Sequence, residues 1–465
     1  MGTPTPILSY HQHSSLSRST LRGGSMDWRS KPTCPKSYPG LPRLKLKPSE
    51  SLSDAPLSNH LPPQNNRQQV TLVDLSTLLS LAYSVTAHYR GMGEALRLLS
   101  CPSAGALYPC ELHIQAKGIA GLSDGLYHYN PFTYELRLLR QSAGASRGLT
   151  FYITAIFHRA VWKYGSRAYR YCLLDTGHLL ENLLRAAMSL GIELQPCYAF
   201  PDEETNRQLC LDPEREACLA AATSDPVPQP PADQLAADES ILIAASRCAK
   251  DDLPPAELME VHRATSKPFS RPLDLTPLAC GFPKPSTGVG SLGTYAKATQ
   301  HRRSQRKFTL EELARTQFDM LLSLLAGLQA DGVVRLGIMA ERVHGLAPGL
   351  YSLESDGRLK LLHAKPLANE LASACLGQAW MAQAALIVLV WANLPALELD
   401  YGPRAYRLAH LLSGQLGQRT YLAASALGLG CCGIGAFFDA EVDQVLGLTP
   451  DEHLLYLLAF GPVRK

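Results

Sequence analysis

The 465-residue sequence lacks the marks of several large protein classes. Its longest apolar stretches, such as residues 384–392, reach only about half the length that a helix needs to span a bilayer. The N-terminal segment from Met1 to Ser25 contains no apolar core of a signal peptide. The twelve cysteines form no CxxC pair and no Cys/His cluster at zinc spacing, which favours reduced thiols over metal ligands or disulfides. We therefore expect a soluble, cytoplasmic protein that has no metal site and no membrane partner.

Charged residues are also scarce, at 18% of the chain, with a formal net charge of +3. Because the basic residues form no extended run, the sequence has no electrostatic signature of a nucleic-acid partner. Hydrophobic residues make up 46% of the chain, which is a globular composition. At this length the chain exceeds one ordinary domain, so two domains are expected.

The chain contains an internal repeat. The segment Tyr164-Gly-Ser-Arg-Ala-Tyr-Arg170 recurs as Tyr401-Gly-Pro-Arg-Ala-Tyr-Arg407, which aligns Tyr164 with Tyr401. Upstream, the segment Gly121-Leu-Ser-Asp-Gly-Leu-Tyr127 recurs as Gly345-Leu-Ala-Pro-Gly-Leu-Tyr351. Because the blocks follow in the same order, the sequence predicts two tandem copies of one domain.

The boundary between the two copies is predicted near residue 250. The apolar residues 241–245 are predicted to form the last strand of the first copy, as the counterpart of residues 454–460 at the end of the second. The first copy then covers residues 1–250 and the second covers residues 251–465. The second copy begins with a linker-rich stretch over 251–296.

Hydrophobic periodicity predicts helices and strands in both copies. Helices are predicted at residues 71–83, 171–190, 310–328 and 408–427. Strands are predicted at residues 111–117, 125–129, 135–139, 151–157, 334–339 and 385–391. The strands come as hairpins beside helices rather than in regular alternation with them, which indicates an α+β fold with a mainly antiparallel sheet in each copy.

Four motifs together resemble one known family. The first copy contains Cys101-Pro-Ser-Ala-Gly-Ala-Leu-Tyr108 and Lys163-Tyr-Gly-Ser-Arg167, and the second contains Arg302-Arg-Ser-Gln-Arg306 and Gly433-Ile-Gly435. This set is similar to the SagB-type dehydrogenases of the nitroreductase superfamily. The resemblance implies a nitroreductase-like fold in each copy, an intramolecular pseudo-dimer of the two copies, and FMN as the cofactor.

The two copies have lost different motifs. The first has residues 64–69, with a single arginine, where the second has the arginines of residues 302–307, and it has Pro196-Cys-Tyr198 where the second has Gly433-Ile-Gly435. The second copy lacks the Pro-Ser-Ala-Gly block altogether. In the family, the flavin lies at a two-fold interface and both subunits contribute to each pocket. The resemblance therefore implies one composite FMN site, made of Pro102, Ser103, Ala104 and Gly105 from the first copy and Arg302, Arg303, Ser304, Arg306, Gly433, Ile434 and Gly435 from the second.

Each motif has a physical rationale and a structural alternative. Several cations beside the Ser304 hydroxyl suit a phosphate, although the same residues would also form a solvated basic run. Small residues at 103–105 allow the backbone to approach a flat ring, although they would also form a tight turn. Gly433 and Gly435 would expose amides to a flavin edge or end a helix. Arg464, a further candidate for the phosphate, would equally suit a frayed tail.

Lys163 and Tyr164 are the candidate catalytic residues. In azoline-oxidising SagB-type enzymes a Lys-Tyr pair at this place is thought to serve catalysis, and the second copy has Asp400-Tyr401 instead. A lysine or tyrosine whose pKa is lowered by burial or by a neighbouring cation can act as a general base. The alternative is an exposed lysine beside a packing tyrosine. His113 and His178 are expected to be structural.

The resemblance implies an FMN-dependent oxidoreductase, a dehydrogenase that oxidises thiazoline or oxazoline rings in a modified peptide. Peptide-modifying partner proteins would then be expected. A first alternative is an NAD(P)H-dependent nitro- or quinone reductase that acts on small molecules. A second is a non-catalytic scaffold subunit of a peptide-modifying complex, which the loss of motifs from both copies would suit.

Overall fold

A computed structural model divides the chain into two compact units. The N-terminal unit comprises Ser25–Ala55 and Leu61–Pro268, and the C-terminal unit comprises Met1–Gly24, Pro56–His60 and Phe269–Lys465. The residues that the structure describes are 5–19, 21, 26–47, 57, 69–91, 94–142, 148–224, 234–273, 294–326, 332–354 and 357–464. Residues 274–293 of the predicted linker, and residues 64–68 of the segment compared with the arginines, lie outside the described residues.

The described residues form helices and strands in both units. The helices are α1 (Pro6–His13), α2 (Leu72–Ala82), α3 (Phe157–Tyr164), α4 (Ala168–Ser189), α5 (Asp202–Gln208), α6 (Glu239–Ala244), α7 (Ala256–Thr265), α8 (Tyr295–His301), α9 (Arg315–Ala326), α10 (Ala368–Ala374), α11 (Leu394–Tyr401), α12 (Arg404–Ala426) and α13 (Asp439–Leu446). The strands are β1 (Arg43–Lys45), β2 (Val85–Gly91), β3 (Glu94–Leu99), β4 (Cys110–Lys117), β5 (Gly125–Asn130), β6 (Glu135–Gln141), β7 (Gly148–Ile156), β8 (Gln195–Cys197), β9 (Glu216–Thr223), β10 (Gln234–Leu235), β11 (Arg335–Ala340), β12 (Gly349–Leu353), β13 (Leu359–His363), β14 (Leu386–Asn393), β15 (Gly430–Ile434) and β16 (Glu452–Gly461). No helix in this described part of the chain has both the length and the apolar character needed to cross a membrane.

The two units contain the same antiparallel sheet. In the N-terminal unit the strand order is β1-β6-β5-β4-β7-β9-β8, with β10 also paired to β6, and in the C-terminal unit it is β13-β12-β11-β14-β16-β15. Every pairing in these sheets is antiparallel. A long buried helix packs on each sheet, α4 on β7 and β9 and α12 on β15 and β16. The predicted α+β fold, with a mainly antiparallel sheet and helices in each copy, is confirmed.

The repeat register that aligns Tyr164 with Tyr401 holds well beyond the motifs that revealed it. Helix α3 begins at Phe157 and α11 begins at Leu394, and both end at the tyrosine of the motif. In the same register, strand β9 (Glu216–Thr223) falls on residues 453–460, which lie in β16. The prediction that residues 241–245 form the counterpart of β16 is therefore wrong, and β9 is that counterpart.

Residues 241–244 belong instead to helix α6. The Asp238 carboxylate accepts a hydrogen bond from the Ser240 amide and so caps the first turn of this helix. The true counterpart, β9, has the sequence Glu-Ala-Cys-Leu-Ala-Ala-Ala-Thr and is buried along its whole length. Alanine favours helix by local propensity, but a central strand that is buried on both faces overrides that preference.

The remaining predicted elements occur with small shifts, except for one helix start. Helix α9 begins at Arg315, whereas the periodicity predicted a start at residue 310. Phe308 instead forms an antiparallel bridge with Val463, and the Thr309 amide donates to the Pro462 carbonyl at 2.9 Å. Pairing with the C-terminal segment therefore keeps these residues extended.

The first helix of each repeat belongs to the opposite half of the chain. Helix α1 lies in the C-terminal unit, where the Tyr10 and Tyr406 rings are 6.2 Å apart and the Leu16 amide donates to Asp439 at 2.9 Å. Helix α7 lies in the N-terminal unit, where Thr265 and the Tyr169 hydroxyl are 2.8 Å apart. The two compact units thus do not coincide with residues 1–250 and 251–465. The boundary near residue 250 concerns the two copies in the sequence and remains a prediction.

Candidate functional site

A strained turn in the N-terminal unit contains the first group of predicted flavin ligands. We call residues 101–108, which connect the β2–β3 hairpin to β4, the Gly105 turn. Gly105, Ala106 and Tyr108 have φ angles of 63°, 55° and 48°. Two of the three are not glycine, so the backbone here is held in a left-handed conformation at an energetic cost. Such strain persists only where surrounding contacts impose it.

Asp175, on the buried helix α4, holds the first half of the turn. Its carboxylate accepts hydrogen bonds from the Ser103 hydroxyl at 2.6 Å and the Ala104 amide at 3.3 Å. The Ser103 oxygen in turn accepts from the Tyr108 amide at 2.9 Å. Burial raises the pKa of the Asp175 carboxyl to about 7, even though the Ser103 and Ala104 hydrogen bonds act to lower it.

Arg159, on α3, holds the other end of the turn. Its guanidinium donates to the Tyr108 carbonyl at 3.0 Å and pairs with Glu111 at 2.6 Å. Both side chains are buried, so each charge compensates the other for the loss of hydration. Burial acts to raise the pKa of Glu111, but the charge of Arg159 and the hydrogen bond from His128 overcome it and lower that pKa.

The predicted catalytic pair lies directly against Gly105. A Cβ atom placed on Gly105 would stand 2.8 Å from the Tyr164 hydroxyl and 3.0 Å from the Lys163 ammonium nitrogen. Only glycine leaves room for both groups at this point of the turn, in addition to tolerating its positive φ. The structure therefore brings Gly105, Lys163 and Tyr164 together within the N-terminal unit.

Lys163 and Tyr164, at the end of α3, differ in their exposure to solvent. Lys163 is exposed, with its ammonium 5.6 Å from the centre of the Tyr164 ring. Tyr164 is half-buried and stacks on Tyr171, with ring centres 4.2 Å apart. A positioned phenol beside an ammonium can hold or move a proton, because the cation stabilises the phenolate form.

The arginine segment of the C-terminal unit runs between two other segments of that unit. Ser304 forms a parallel bridge with Cys431 on β15, and the Gln305 amide donates to the Cys431 carbonyl at 2.9 Å. On the other side, the Arg464 amide donates to the Lys307 carbonyl at 3.0 Å. Arg464 is therefore placed beside the arginine segment and is exposed there, rather than forming a separate tail.

Tyr421, on α12, links the predicted serine to the predicted glycine. Its hydroxyl lies 2.9 Å from the Ser304 hydroxyl and accepts a hydrogen bond from the Gly433 amide at 2.7 Å. A Cβ on Gly433 would stand 1.9 Å from the Tyr456 hydroxyl, so this position requires glycine for packing. Ile434 is buried beside it, and Gly435 follows directly after β15.

The arginines combine burial with aromatic contact. Arg302 is buried and lies 5.3 Å from the centre of the Tyr421 ring, and Arg306 is exposed and lies 5.6 Å from the Trp380 ring. Arg303 is half-buried and donates to the Gln300 carbonyl at 3.0 Å. Aromatic packing of this kind holds a guanidinium in place while leaving its charge available to an anion.

Sequence reasoning missed three residues that organise these two clusters. Asp175 and Arg159 hold the Gly105 turn, and Tyr421 connects Ser304 to Gly433. Asp175 and Arg159 left a signal, since an ionisable residue within a strongly apolar stretch indicates a buried partner. Nothing in the sequence pairs Tyr421 with Ser304, because that contact joins segments that are far apart along the chain.

The predicted structural histidines lie in the core. His113 and His178 are both fully buried, and burial holds the pKa of His113 well below its usual range. Among the residues that the structure describes, no group of His, Cys, Asp and Glu side chains is arranged to hold a metal ion.

The C-terminal unit contains no counterpart of the Gly105 turn among its described residues. Helix α9 ends at Ala326 and β11 begins at Arg335, leaving no space for a hairpin and a turn of the kind found between α2 and β4. At the position of Lys163-Tyr164, the Asp400 carboxylate pairs with Arg271 at 3.6 Å. The Arg271 guanidinium also lies 4.3 Å from the centre of the Tyr401 ring.

Comparison with known proteins agrees with this architecture. The chain is similar to a crystal structure, at 1.80 Å resolution, of a protein from Anabaena variabilis described as a nitroreductase, with 28% identity, a TM-score of 0.77, and coverage of 99% of this chain and 100% of that one. It is 32% identical over 149 residues to a Methanocaldococcus jannaschii protein named as a nitroreductase, covering 29% of this chain and 72% of the relative. It is 30% identical over 178 residues to the trifolitoxin-processing protein TfxB of Rhizobium leguminosarum, covering 34% of this chain and about half (48%) of TfxB.

The model of the nitroreductase family matches two separate segments, residues 65–223 and 339–462. These segments contain most strands of the two antiparallel sheets and together make up more than half of the chain. The resemblance found in the sequence is thereby confirmed at the level of the family, and so is the presence of two copies of its fold. This chain belongs to the nitroreductase family.

Proposed function

We propose that this chain is an FMN-dependent oxidoreductase, a dehydrogenase of the SagB type, in which Lys163 and Tyr164 move the proton. The observation that carries this proposal is the contact at Gly105, where both candidate side chains reach the same point of a strained turn. Membership of the nitroreductase family supports oxidoreductase chemistry. The cofactor, the roles of the residues and the substrate are parts of the proposal.

The residues present fit a flavin in two ways. The Gly105 turn has only small side chains at 103–105, and the absence of a Cβ at Gly105 lets the Lys163 and Tyr164 side chains approach its backbone. The arginine segment offers a buried Arg302, the Ser304 hydroxyl and a neighbouring Arg464, which is a donor set for a phosphate. Arg303, Arg306 and the β15 strand with Gly433, Ile434 and Gly435 would complete this group.

A bound FMN would supply the hydride acceptor, and the protein would supply position and proton transfer. On the N-terminal unit, Asp175 and Arg159 hold the turn at both ends, so its backbone amides need not reorganise. Tyr164, as a phenolate beside the Lys163 ammonium, would accept the proton that leaves the substrate carbon and become a neutral phenol. Oxidation of a thiazoline or oxazoline ring removes two hydrogens, one as that proton and one as hydride.

The proposed substrate class is a peptide that contains such a ring. Its support is the similarity to TfxB, whose name assigns it to the processing of trifolitoxin, and the chain spans about half of that relative. Partner proteins that modify the same peptide would follow from this proposal. Dioxygen or another acceptor would close the catalytic cycle.

The test is the ratio of FMN to chain in purified protein, measured by absorbance for the natural chain and for Arg303→Ala and Ser103→Trp. We expect one FMN per chain, and we expect either substitution to remove it, because the sequence predicts one site with ligands from both repeats. Two FMN per chain would contradict the complementary loss of motifs. No FMN under any loading condition would favour the scaffold alternative.

The catalytic pair is tested separately from flavin binding. Lys163→Ala and Tyr164→Phe are expected to retain FMN and to slow substrate oxidation by about a hundredfold, the usual contribution of a positioned general base. Unchanged turnover in both variants would show that the base has been assigned wrongly. Rapid bleaching of the bound flavin by NADH or NADPH would favour the nitro- or quinone-reductase alternative.

A further inference from the structure

The outer edge of the sheet is covered in the N-terminal unit by the chain itself. Strand β1 pairs with β6 so that Leu44 stands opposite Leu136 and Lys45 opposite Glu135, and β10 pairs with the other end of β6. Just before β1, Tyr38 and Leu41 pack over the sheet against Leu139. An extended segment of polypeptide thus closes both the edge and the adjoining face.

The corresponding strand in the C-terminal unit is β13. Its sequence Leu359-Lys-Leu-Leu-His363 matches Leu136-Arg-Leu-Leu-Arg140 of β6, and both strands pair with their neighbour through an irregularity at the same place. In the described part of the chain, β13 is the end of its sheet and nothing pairs with its outer side. Among the described residues it is therefore an open edge, where the first repeat has a closed one.

Side-chain exposure shows what the open edge leaves uncovered. Leu139 on β6 is 1% exposed, and its counterpart Leu362 on β13 is 41% exposed. The neighbouring Leu361 is 49% exposed. Two adjacent exposed leucines on an unpaired strand are unusual, because such an edge is a template for pairing with another chain.

A pocket of about 680 Å³ adjoins this edge. Its lining includes Leu362 and His363 of β13 and, from the end of α13 onward, Leu446, Gly447 and Leu448. In the register that aligns Tyr164 with Tyr401, the last three correspond to residues 209–211, which pack with Tyr38 and Leu41 in the N-terminal unit. The pocket therefore occupies the position that an extended segment fills in the first repeat.

The charge of the edge differs between the two repeats. On β6, Glu135 stands opposite Lys45, with 4.0 Å between their charged atoms. The residue before β13, at the position of Glu135, is Arg358. The basic residues of β13, Lys360 and His363, match Arg137 and Arg140 of β6, and Arg137 stands opposite Arg43 of β1. The charge of the edge therefore changes sign only at Arg358. Opposite charges across a strand pair stabilise it and like charges weaken it. An incoming strand should therefore be acidic opposite Arg358, where β1 has Lys45, and an acidic residue in place of Arg43 would also face Lys360 favourably; two copies of β13 should repel each other.

We propose that β13 and the adjoining pocket form a docking site for an extended, acidic and apolar peptide segment of a separate protein chain. The segment adds a strand antiparallel to β13 and places an apolar or aromatic side chain in the pocket, as Tyr38 and Leu41 do in the first repeat. Main-chain hydrogen bonds provide the affinity of such strand addition, and side chains provide the specificity. This site does not depend on the flavin or on the proposed reaction.

The test uses two peptides copied from this chain. The first has the sequence of residues 36–47, and the second carries Arg43→Glu and Lys45→Glu in the same sequence. Binding to the full-length protein is followed by fluorescence anisotropy at low salt. We expect the acidic peptide to bind about tenfold more tightly than the unchanged one, with the difference shrinking as salt is added.

A charge reversal on the protein provides the matched control. Lys360→Glu should abolish the preference between the two peptides, because the new carboxylate repels position 43 of the acidic peptide while Arg358 still attracts position 45. Lys297→Glu makes the same charge change on α8, which packs on α12, and should leave the preference as it is. Hydrogen exchange across residues 359–363 should slow when the acidic peptide is added.

Several results would overturn the proposal. Equal binding of the two peptides, or a preference that Lys360→Glu does not alter, would exclude charge-selective pairing at β13. Slow exchange of β13 in the free protein at every concentration would mean that another segment of this chain already covers the edge. Slow exchange that depends on protein concentration would identify a second copy of the chain as the occupant.

Discussion

The two repeats use the same helix end for different purposes. In the N-terminal unit, Lys163 and Tyr164 end α3 and reach the Gly105 turn. In the C-terminal unit, Asp400 and Tyr401 end α11 at the same repeat position and contact Arg271. The backbone is the same, but one pair lies against the Gly105 turn and the other is engaged with Arg271. After duplication, each copy can lose a different part of a site while its fold is kept.

The first prediction concerns the glycine that the second repeat requires. Gly433→Ala should destabilise the C-terminal unit by about 3 kcal/mol, because its Cβ would overlap the Tyr456 hydroxyl. Hydrogen exchange of the β16 amides, followed at increasing urea concentrations, would measure this loss of stability. Tyr456→Phe in the same chain removes the oxygen at 1.9 Å but leaves the ring carbon at 2.6 Å, so it should recover part of the stability; no recovery at all would show that the ring carbon carries the collision. The first repeat has Pro196 at this position, so the requirement belongs to the second repeat alone.

The second prediction concerns Asp175, which has no carboxylate counterpart in the second repeat. Because its pKa is raised to about 7 in the folded protein, the folded state binds a proton that the unfolded state has released between about pH 4 and 7. The contribution of this group to stability is therefore full below pH 4 and is lost as the pH rises through 7. Between pH 5 and 8, the natural chain should lose roughly 2 kcal/mol relative to Asp175→Asn. Urea unfolding of both proteins across this range would measure the difference, and parallel pH profiles would contradict the prediction.

The third prediction separates backbone strain from crowding at the Gly105 turn. Gly105→Ala should slow substrate oxidation by about tenfold, because the new methyl group displaces Lys163 and Tyr164 from their positions. Gly191→Ala is the matched control, since Gly191 also has a positive φ, 70°, but open space around it. Both substitutions should cost similar stability, and only the first should affect the rate. An equal loss of rate in both would attribute the effect to strain alone.

The fourth and smallest effect is expected at a helix start. Thr71 and Asp74 form a reciprocal capping box at the start of α2, so Thr71→Ala should destabilise the N-terminal unit by about 1 kcal/mol. Thr309 is the counterpart of Thr71 in sequence, but α9 begins only at Arg315. The Thr309 hydroxyl has no hydrogen-bond partner among the described atoms. Thr309→Ala should therefore be close to neutral. Calorimetric unfolding of the two variants would compare them, and equal losses would show that Thr309 also caps a helix.

Much of the fold could be predicted from the sequence because its signals are local. The repeated motif at Tyr164 and Tyr401 set the repeat register, and apolar periodicity located α4, α12 and most strands. The predictions failed where pairing with a segment distant in the sequence decides the secondary structure. Strand β9 is rich in alanine and is a strand only because β7 and β8 flank it. Residues 308–309 stay extended only because the C-terminal segment pairs with them.

The residues of the candidate site also fall into those that local sequence signals predicted and those that depend on distant contacts. Gly105, Lys163, Ser304 and Gly433 were recognisable because their motifs are short and continuous in the sequence. Asp175, Arg159 and Tyr421 act through contacts that only the folded chain creates. A motif therefore predicted which residues would meet a ligand, whereas the residues that hold those motifs in place had to be found in the structure.

The exchange of the first helices has a consequence for how the chain is made. Leu16 follows helix α1, yet its partner Asp439 lies 423 residues further on. At a synthesis rate of about 5–20 residues per second, the start of the chain waits roughly 20 to 85 seconds for that partner. Helix α7, by contrast, is synthesised directly after the strands of the N-terminal unit and can complete that unit early. The duplicated protein thus has a built-in order of assembly, in which helix α1, made before the other described helices, is among the last to be placed.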